Sequence, residues 1–333
     1  MPDNPASIDA ASLAQRPSGG AVRAVIDTDA ANEIDDQFAV AYALLSPERI
    51  EVEALYAAPF HNDHSTGPGD GMRQSYEELH RVLACLDPQP ELPILEGAGS
   101  WLPAPDQPVA SPAGEDLVGR ALDGAAPLHV VALGAPTNVA AAILAAPEIR
   151  DRIMVVWLGG NPSAWHPAVE FNVSQDPHAA RVLLDSGVRL VHVPCRSVTE
   201  QLLTTQPEIE RYVRGRGAIG EYLAELYDAA FADHFGRSRS LWDLGPVAWL
   251  VNPEWVPTVA VHSPLLTDQG TWSHDPFRHL ILEVRSVERD AIFTDLFRKL
   301  DQVSMAAHLP PARDRPSSTA VSYTTGPTVG RPA

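Results

Sequence analysis

The stretch from Val22 to Leu45 constrains the fold of this chain more than any other part of its sequence. A short apolar run with β-branched residues ends abruptly in Asp-Thr-Asp at 27–29, and an Asp-Asp pair follows at 35–36. Apolar residues after Gln37 are spaced as on a helix, and the Asp-Asp pair would lie in its first turn, where negative charge is favourable. The pattern predicts a buried strand, an acidic loop and a helix, in that order.

Four carboxylates are therefore expected at the carboxyl end of a buried strand, where open α/β sheets have their ligand crevice. Like charges this close raise one another's pKa unless a cation lies among them. A hard divalent cation with oxygen ligands removes the repulsion most simply. We therefore predict a metal site in which some carboxylates hold the ion and another takes a proton from water. A solvated acidic loop is the alternative, because charged residues are mostly exposed.

Strand-like and helix-like segments alternate along most of the chain, which predicts parallel strands joined by crossover helices. Strands are predicted at 22–26, 50–58, 92–95, 128–133, 153–158, 188–193 and 280–284. Helices are predicted after Gln37, at 71–86, after GAPTN at 134–138, and at 176–186, 206–214, 218–235, 241–250 and 289–300. The expected fold is α/β: an open, mostly parallel sheet flanked by helices, with a helical cap at the carboxyl ends of the strands.

One domain is predicted at 21–309. Residues 1–20 and 310–333 are predicted to be a flexible lead-in and a flexible tail, because small residues and proline dominate both.

Composition narrows the class of protein. Hydrophobic residues make up 45% of the chain and charged residues 20%, as in globular proteins. The net charge of −19 argues against nucleic acid or an anionic membrane as a partner, because both require a basic surface. The sequence has only two cysteines, Cys85 and Cys195, and no apolar stretch that approaches the roughly 18 residues of a membrane span. We therefore expect a cytoplasmic protein with a small-molecule ligand.

Four segments stand out along the chain: DTDAANEIDD at 27–36, ALGAPTNVA at 132–140, VVWLGGN at 155–161 with PAVEFNVSQDP at 167–177, and SLWDLGPVA at 240–248. In this order they resemble the motifs of the inosine-uridine preferring nucleoside hydrolase family. The resemblance covers most of the chain from Arg23 to Leu300. It implies hydrolysis of the N-glycosidic bond of ribonucleosides, which releases the free base and ribose.

The resemblance also implies roles for individual residues. It implies a calcium ion (Ca2+) held by Asp29, Asp36, Asp243 and the main-chain carbonyl of Thr137. An oxygen-only set suits calcium better than zinc, which prefers histidine and thiolate ligands. Asp29 would also be the general base for the attacking water, with Asn62 beside that water.

The same resemblance implies that Asp35, Glu170 and Asn172 bind the ribose. Glu170 and Asn172 are two residues apart, and along an extended segment their side chains would lie on one face. Asp27 is predicted to support the site from behind rather than to bind the metal ion. A homodimer or homotetramer is also what the resemblance implies.

Two features depart from the family pattern. The loop AANEI at 30–34 is two residues longer than the proline-glycine loop common in the family. Trp242 precedes Asp243 where many members have a histidine that protonates the leaving base, and a tryptophan there resembles the purine-preferring subclass, which holds the base between aromatic rings. We predict that Trp242 binds the base, with Trp101 or Trp165 as the second ring. A core aromatic is the alternative for Trp242.

Four histidines, at 61, 64, 166 and 234, are candidates for a leaving-group acid, although a lone histidine in a loop is more often a surface residue. Two other functions fit part of the pattern. A haloacid dehalogenase-type phosphatase also has Asp-x-Asp after its first strand, but it needs a lysine beside the phosphate, and the sole lysine, Lys299, follows all the acidic motifs. A divergent member that binds a ribosylated metabolite without cleaving it is the other alternative.

Overall fold

The structure is a computed structural model that describes residues 20–124 and 126–308. The strands in these ranges are β1 Val22–Thr28, β2 Ile50–Ala57, β3 Ile94–Glu96, β4 Leu128–Ala132, β5 Ile153–Leu158, β6 Arg189–Val193, β7 Leu203–Thr205, β8 Ser238–Ser240, β9 Thr258–His262, β10 Leu265–Leu266, β11 Trp272–Ser273 and β12 Leu280–Val284. The α-helices are α1 Asp35–Leu44, α2 Pro68–Ala84, α3 Pro112–Asp123, α4 Thr137–Ala145, α5 Phe171–Gln175, α6 Pro177–Asp185, α7 Gln206–Tyr212, α8 Gly217–Ala229, α9 Leu244–Val251 and α10 Arg289–His308.

Eight strands form the central sheet, in the order β3-β2-β1-β4-β5-β6-β12-β9. Neighbouring strands are parallel throughout, except that β9 runs antiparallel to β12. The chain places β2 and β3 on one side of β1 and β4 on the other, so the strand order reverses beside β1. The ligand crevice of a doubly wound sheet lies at the carboxyl ends of the strands at such a reversal. The predicted α/β fold with a mostly parallel sheet is confirmed.

Strand β1 is covered on both faces. Ala24 and Ile26 pack into the apolar layer on one side of the sheet, and Val25 packs into the layer on the other side. Strands buried on both faces have continuous apolar runs instead of alternating ones, which is why this strand is visible in the sequence. Asp27 lies near its end, paired with Tyr56 on β2 and Ala132 on β4.

Helices cover both faces of the sheet. Residues of α1, α2, α8, α9 and α10 build one apolar layer, and residues of α3, α4 and α6 build the other. Helices α1 and α9 pack against each other and are almost entirely buried, because they are apolar on all sides. Their amino-terminal ends carry Asp35, Asp36 and Asp243, so this contact brings acidic residues from distant parts of the sequence together.

Several elements differ from the sequence prediction. Helix α3 and strand β9 were not predicted, and β7 and β8, which flank α7 and α8, form a small antiparallel sheet among the predicted late helices. Strand β9 has no alternating burial pattern because it is the exposed edge of the sheet. Helix α8 ends at Ala229 instead of residue 235. The predicted flexible segments at 1–20 and 310–333 lie outside the described residues, apart from Gly20.

Candidate active site

The acidic loop after β1 makes a tight turn. The Asn32 amide donates to the Asp29 carbonyl at 2.7 Å, and the Gln37 side chain on α1 donates to the Ala30 carbonyl at 2.5 Å. The side chain of Asn62 donates to the Asn32 side-chain oxygen at 3.0 Å. Hydrogen bonds within the AANEI loop, from helix α1 and from the segment after β2 therefore hold this longer loop in place.

Four carboxylates meet at one end of a cavity at the carboxyl edge of the sheet. Asp29, Asp35, Asp36 and Asp243 all line this cavity, and each is less than 5% exposed. One oxygen each from Asp35, Asp36 and Asp243 lies within 4.8 Å of the other two, close enough to hold a single metal ion. The Thr28 hydroxyl donates to Asp36, and the Asp243 amide lies 3.4 Å from the Asp35 carboxylate.

Burial makes negative charge unfavourable in this cluster. Burial raises the pKa of Asp29 to about 8 and that of Asp35 to about 7, and repulsion from neighbouring carboxylates adds to both increases. The pKa values of Asp36 and Asp243 are also raised, first by burial and then by nearby acidic groups. Within the described residues, one buried Asp29 oxygen has no hydrogen-bond partner. A hard cation such as calcium prefers oxygen ligands, and its charge would offset the repulsion among these buried carboxylates.

The predicted metal ligands are only partly brought together. Asp29, Asp36 and Asp243 share the cavity, but the closest set of three oxygens includes Asp35 in place of Asp29. Thr137 does not line the cavity: it is fully buried at the start of α4, and its hydroxyl donates to Asp176 at 2.9 Å. Calcium ligation by the Thr137 carbonyl stays a prediction.

Asp27 is fully buried and lies behind the cavity lining. The Asn138 side chain donates to it at 2.7 Å, and the oxygen of the same amide accepts from the Ala98 amide at 2.7 Å. Burial raises the pKa of Asp27 to about 7. Asn138 therefore links β1 to α4 and to the segment after β3, which places Asp27 in a supporting position.

Glu170 and Asn172 both line the cavity, but the extended segment predicted for them is wrong. Glu170 begins helix α5, and its carboxylate accepts from the Asn172 and Val173 amides at 2.9 Å each. A carboxylate at this position satisfies amides that the first helical turn leaves unpaired. The Asn172 side chain donates to the carbonyls of Leu133 at 2.7 Å and Leu158 at 2.9 Å, and thereby joins the ends of β4 and β5.

Two aromatic rings line the cavity. Trp242 is partly buried there, and Phe171 is 38% exposed. Neither Trp101 nor Trp165 lines it, so the prediction of one of them as the second ring is wrong. Phe171 is the first residue of helix α5, which presents it to the cavity.

Asn62 and the four candidate histidines do not line the cavity. Asn32, which belongs to the longer loop, lines the cavity instead. Asn62 lies behind Asn32 and donates a hydrogen bond to its side-chain oxygen. The histidines at 61, 64 and 166 are exposed. The Nε2 atom of His234 lies at hydrogen-bond distance, 3.0 Å, from the Asp228 carbonyl oxygen. No leaving-group acid is therefore identified among these histidines.

Seven other residues of the lining were not predicted from the sequence: Asn32, Glu33, Leu133, Leu158, Cys195, Arg196 and Glu200. The first two belong to the AANEI loop, whose extra length was the available signal. Cys195 and Arg196 lie just beyond the end of β6, at the same edge of the sheet where β1 ends. Carboxyl ends of parallel strands share one edge, so the end of β6 was a second signal.

The fold and the site together define a class of protein. It is an α/β protein with a cavity for a small molecule, and the buried carboxylates at one end of this cavity favour a bound cation. A family model described as inosine-uridine preferring nucleoside hydrolase matches residues 24–330. The chain belongs to this family and is therefore an N-glycosidic bond hydrolase.

Individual relatives agree with this assignment. The pyrimidine-specific ribonucleoside hydrolase RihA of Klebsiella pneumoniae is 29% identical over 265 residues, which cover 71% of this chain and 81% of that protein. The purine-preferring ribonucleoside hydrolase of Gardnerella vaginalis has a similar fold, with a TM-score of 0.69 and 22% identity over 85% of this chain and 99% of that one. The plant nucleoside hydrolase PpNRh1 has a TM-score of 0.66 and 21% identity, covering 84% and 99%.

The phosphatase alternative is wrong. Lys299, the lysine that such a mechanism requires, does not line the cavity. It lies on α10, where its ammonium group pairs with Glu48 and lies 3.8 Å from Asp295. Among the described residues, no helix is both long and apolar enough to cross a membrane.

Proposed function

We propose that this chain catalyses the calcium-dependent hydrolysis of the N-glycosidic bond of ribonucleosides, with a preference for purines. The observation that carries the proposal is the content of one cavity: four buried carboxylates at one end, with Glu170, Asn172 and two aromatic rings in the remaining lining. Such a lining offers separate groups for a cation, a sugar and a base.

Asp29, Asp36 and Asp243, with the Thr137 carbonyl, are the groups proposed to hold calcium. When bound, the ion supplies positive charge that favours loss of a proton from water. Asp29 is the proposed acceptor of that proton, because one of its oxygens is buried in the site without a hydrogen-bond partner among the described residues. Water then attacks the anomeric carbon as the bond to the base breaks, and positive charge develops on the sugar. The base leaves with the bonding electron pair and takes up a proton from water.

Asp35 is proposed to accept hydrogen bonds from the ribose hydroxyl groups. Its buried carboxylate has an oxygen within 4.8 Å of oxygens of Asp36 and Asp243, so a sugar held by Asp35 would be next to the proposed metal ligands. A substrate that lacks a hydroxyl would leave this buried carboxylate unpaired. Sites of this kind reject deoxy analogues strongly, so ribonucleosides are the expected class.

The proposed purine preference rests on Trp242 and Phe171. Two rings on one cavity offer a large apolar surface to a flat base, and stacking of a base on an aromatic side chain contributes about 1–3 kcal/mol. The names of the relatives differ in base preference: RihA is named pyrimidine-specific, and the Gardnerella enzyme is named purine-preferring.

Trp242→Ala is expected to raise KM for purine ribonucleosides about tenfold, with a smaller effect on pyrimidine ribonucleosides, because the larger base loses more contact area. Steady-state kinetics with both classes would measure this. Trp165→Ala is the matched control, since that ring is exposed and lies outside the lining. An unchanged purine KM in Trp242→Ala would contradict base stacking on this residue.

The proposed reaction is tested by reducing-sugar release from a panel of purine and pyrimidine ribonucleosides and their 2′-deoxy counterparts, with protein shown to contain calcium. Release from ribonucleosides, fastest with purines and weak with deoxy compounds, is the expected result. Faster release from pyrimidines would overturn the purine preference alone. No release from any compound would overturn the reaction and favour a protein that binds a ribosylated metabolite without cleaving it.

A further inference from the structure

A buried histidine–glutamate pair lies behind the site and has no role in the reaction described above. His192 on β6 and Glu283 on β12 are paired across neighbouring strands, and both side chains are fully buried. The His192 Nδ1 atom lies 3.3 Å from a Glu283 carboxylate oxygen. A buried pair of this kind is weak evidence for stability by itself, because removing its polar groups from water is costly. The role of the His192–Glu283 pair therefore has to be inferred from its contacts.

Both ring nitrogens of His192 face acceptors. The Nε2 atom lies 2.6 Å from the Gly159 carbonyl oxygen, which can only accept, so Nε2 carries a proton. Burial alone would raise the pKa of Glu283, but its interactions with His192 and Ser163 lower it to about 2. The Nδ1 atom of His192 faces the Glu283 carboxylate, so each ring nitrogen has an acceptor beside it. Trp157 stacks on the ring, with 6.0 Å between the ring centroids.

The pair holds the turn after β5 at two points. His192 donates to the Gly159 carbonyl, and the Glu283 oxygen that faces His192 also accepts from the Ser163 amide at 2.9 Å. Between these points the Gly160 amide donates to the Glu170 carboxylate at 2.6 Å. Gly160 has a φ of +72°, and an added Cβ would lie 2.9 Å from the Trp272 ring and 3.2 Å from His192 Nε2, so the turn packs against both rings.

We propose that His192 and Glu283 are positioning residues for the sugar side of the site. They fix the Gly159–Ser163 turn, the turn fixes the direction of the Gly160 amide, and that amide holds the Glu170 carboxylate in the cavity lining. The inference rests on the proposed function, in which Glu170 binds the ribose. Partners that orient a binding carboxylate from behind typically change activity by about 10- to 100-fold when they are removed.

A double-mutant cycle tests whether His192 acts through Glu170. His192→Phe keeps a flat ring and removes both ring nitrogens, including the donor to the Gly159 carbonyl. It is expected to lower kcat/KM about tenfold in the wild-type background, mostly through KM, and by less than about twofold in the Glu170→Ala background. Equal losses in both backgrounds would overturn the proposal. His192→Gln, which keeps one donor, is expected to recover part of the loss.

Glu283→Gln covers the case in which His192→Phe does not fold, because it keeps an oxygen for the Ser163 amide while it removes the charge and the second oxygen, which accepts from exposed Arg285 at 2.8 Å. The same cycle with Glu170→Ala is expected to show the same non-additivity, and additive losses would again overturn the proposal. His129→Phe is the matched control, since His129 is a buried histidine on β4 whose ring faces the Arg23 carbonyl. No change in KM is expected for this control.

The amide resonance of Gly160 provides a readout that needs no turnover. The sequence has two Gly-Gly pairs, at 19–20 and 159–160, so labelling glycine with carbonyl 13C and amide 15N selects two resonances, and Gly19→Ala identifies the other one. The Gly160 proton is expected far downfield, because its hydrogen bond is short and charge-assisted. It should move upfield in Glu170→Ala, His192→Phe and Glu283→Gln.

A Gly160 resonance that moves in Glu170→Ala but stays in place in His192→Phe and Glu283→Gln would overturn the positioning role. If wild-type protein releases sugar from no ribonucleoside in the panel, the proposed function fails, and the resonance alone decides whether the pair positions Glu170. Failure of the proposed function and failure of the positioning proposal are therefore distinguishable.

Discussion

Asp29→Asn is expected to lower kcat by about a thousandfold while leaving the fold intact. A positioned general base contributes about 10²–10⁴-fold, and Asp29 is the proposed base as well as a proposed metal ligand. Asparagine has nearly the same shape and cannot accept the proton. Steady-state kinetics with the best ribonucleoside, on protein with its metal content measured, would check this expectation.

Thermal unfolding of the same variant separates loss of chemistry from loss of structure. Burial and nearby carboxylates raise the pKa of Asp29 to about 8, so its charge opposes folding in metal-free protein above that pH. Metal-free Asp29→Asn is therefore expected to unfold at a higher temperature than metal-free wild type at pH 9. Asp63→Asn, an exposed substitution of the same kind, serves as the control. Near-normal kcat in Asp29→Asn would refute its role as base.

Removal of calcium by a chelator is expected to abolish activity, with a loss of about a thousandfold, and added calcium is expected to restore it. The ion is proposed to neutralise the buried carboxylates, so its removal should leave the chain folded but unable to activate water. Turnover measured before chelation, after it and after addition of calcium tests this. Undiminished turnover in protein shown to be free of metal would contradict calcium dependence.

Metal removal should also change how stability depends on pH. The pKa values of Asp27 and Asp35 are raised from 3.8 to about 7 and that of Asp29 to about 8, so each carboxyl favours folding fully below about pH 4. This stabilisation is lost as pH rises through 7 and 8, because the folded state must then lose protons that it holds more tightly than the unfolded state. We therefore expect the Tm of chelated protein to fall by several degrees between pH 5 and pH 9.

Calcium should suppress that fall, because it favours the ionised carboxylates in the folded state. Thermal unfolding at each pH, with and without calcium, would show the difference. Identical pH dependence in both conditions would mean that the buried carboxylates do not hold the ion. This readout is independent of turnover, so it also tests the metal site in a protein that binds its ligand without cleaving it.

The sequence by itself determined the architecture and the chemical type of the site. Strand β1 is recognisable because both of its faces are buried, and α1 because apolar residues follow an acidic first turn. These are local patterns with fixed periods, so they can be read without knowledge of distant contacts. The order of four motifs was enough to indicate the family, and the family model confirms it.

Only the tertiary structure decided which side chains share the cavity. Asp243 reaches Asp35, 208 positions away, because two apolar helices pack together, and nothing local to either residue encodes that contact. The same reason explains the errors: the longer loop places Asn32 in the lining and Asn62 behind it, and a short helix that begins at Glu170 turns Phe171 into the cavity. Residue type and spacing therefore specify what chemistry is available, and the packing of distant elements specifies which groups perform it.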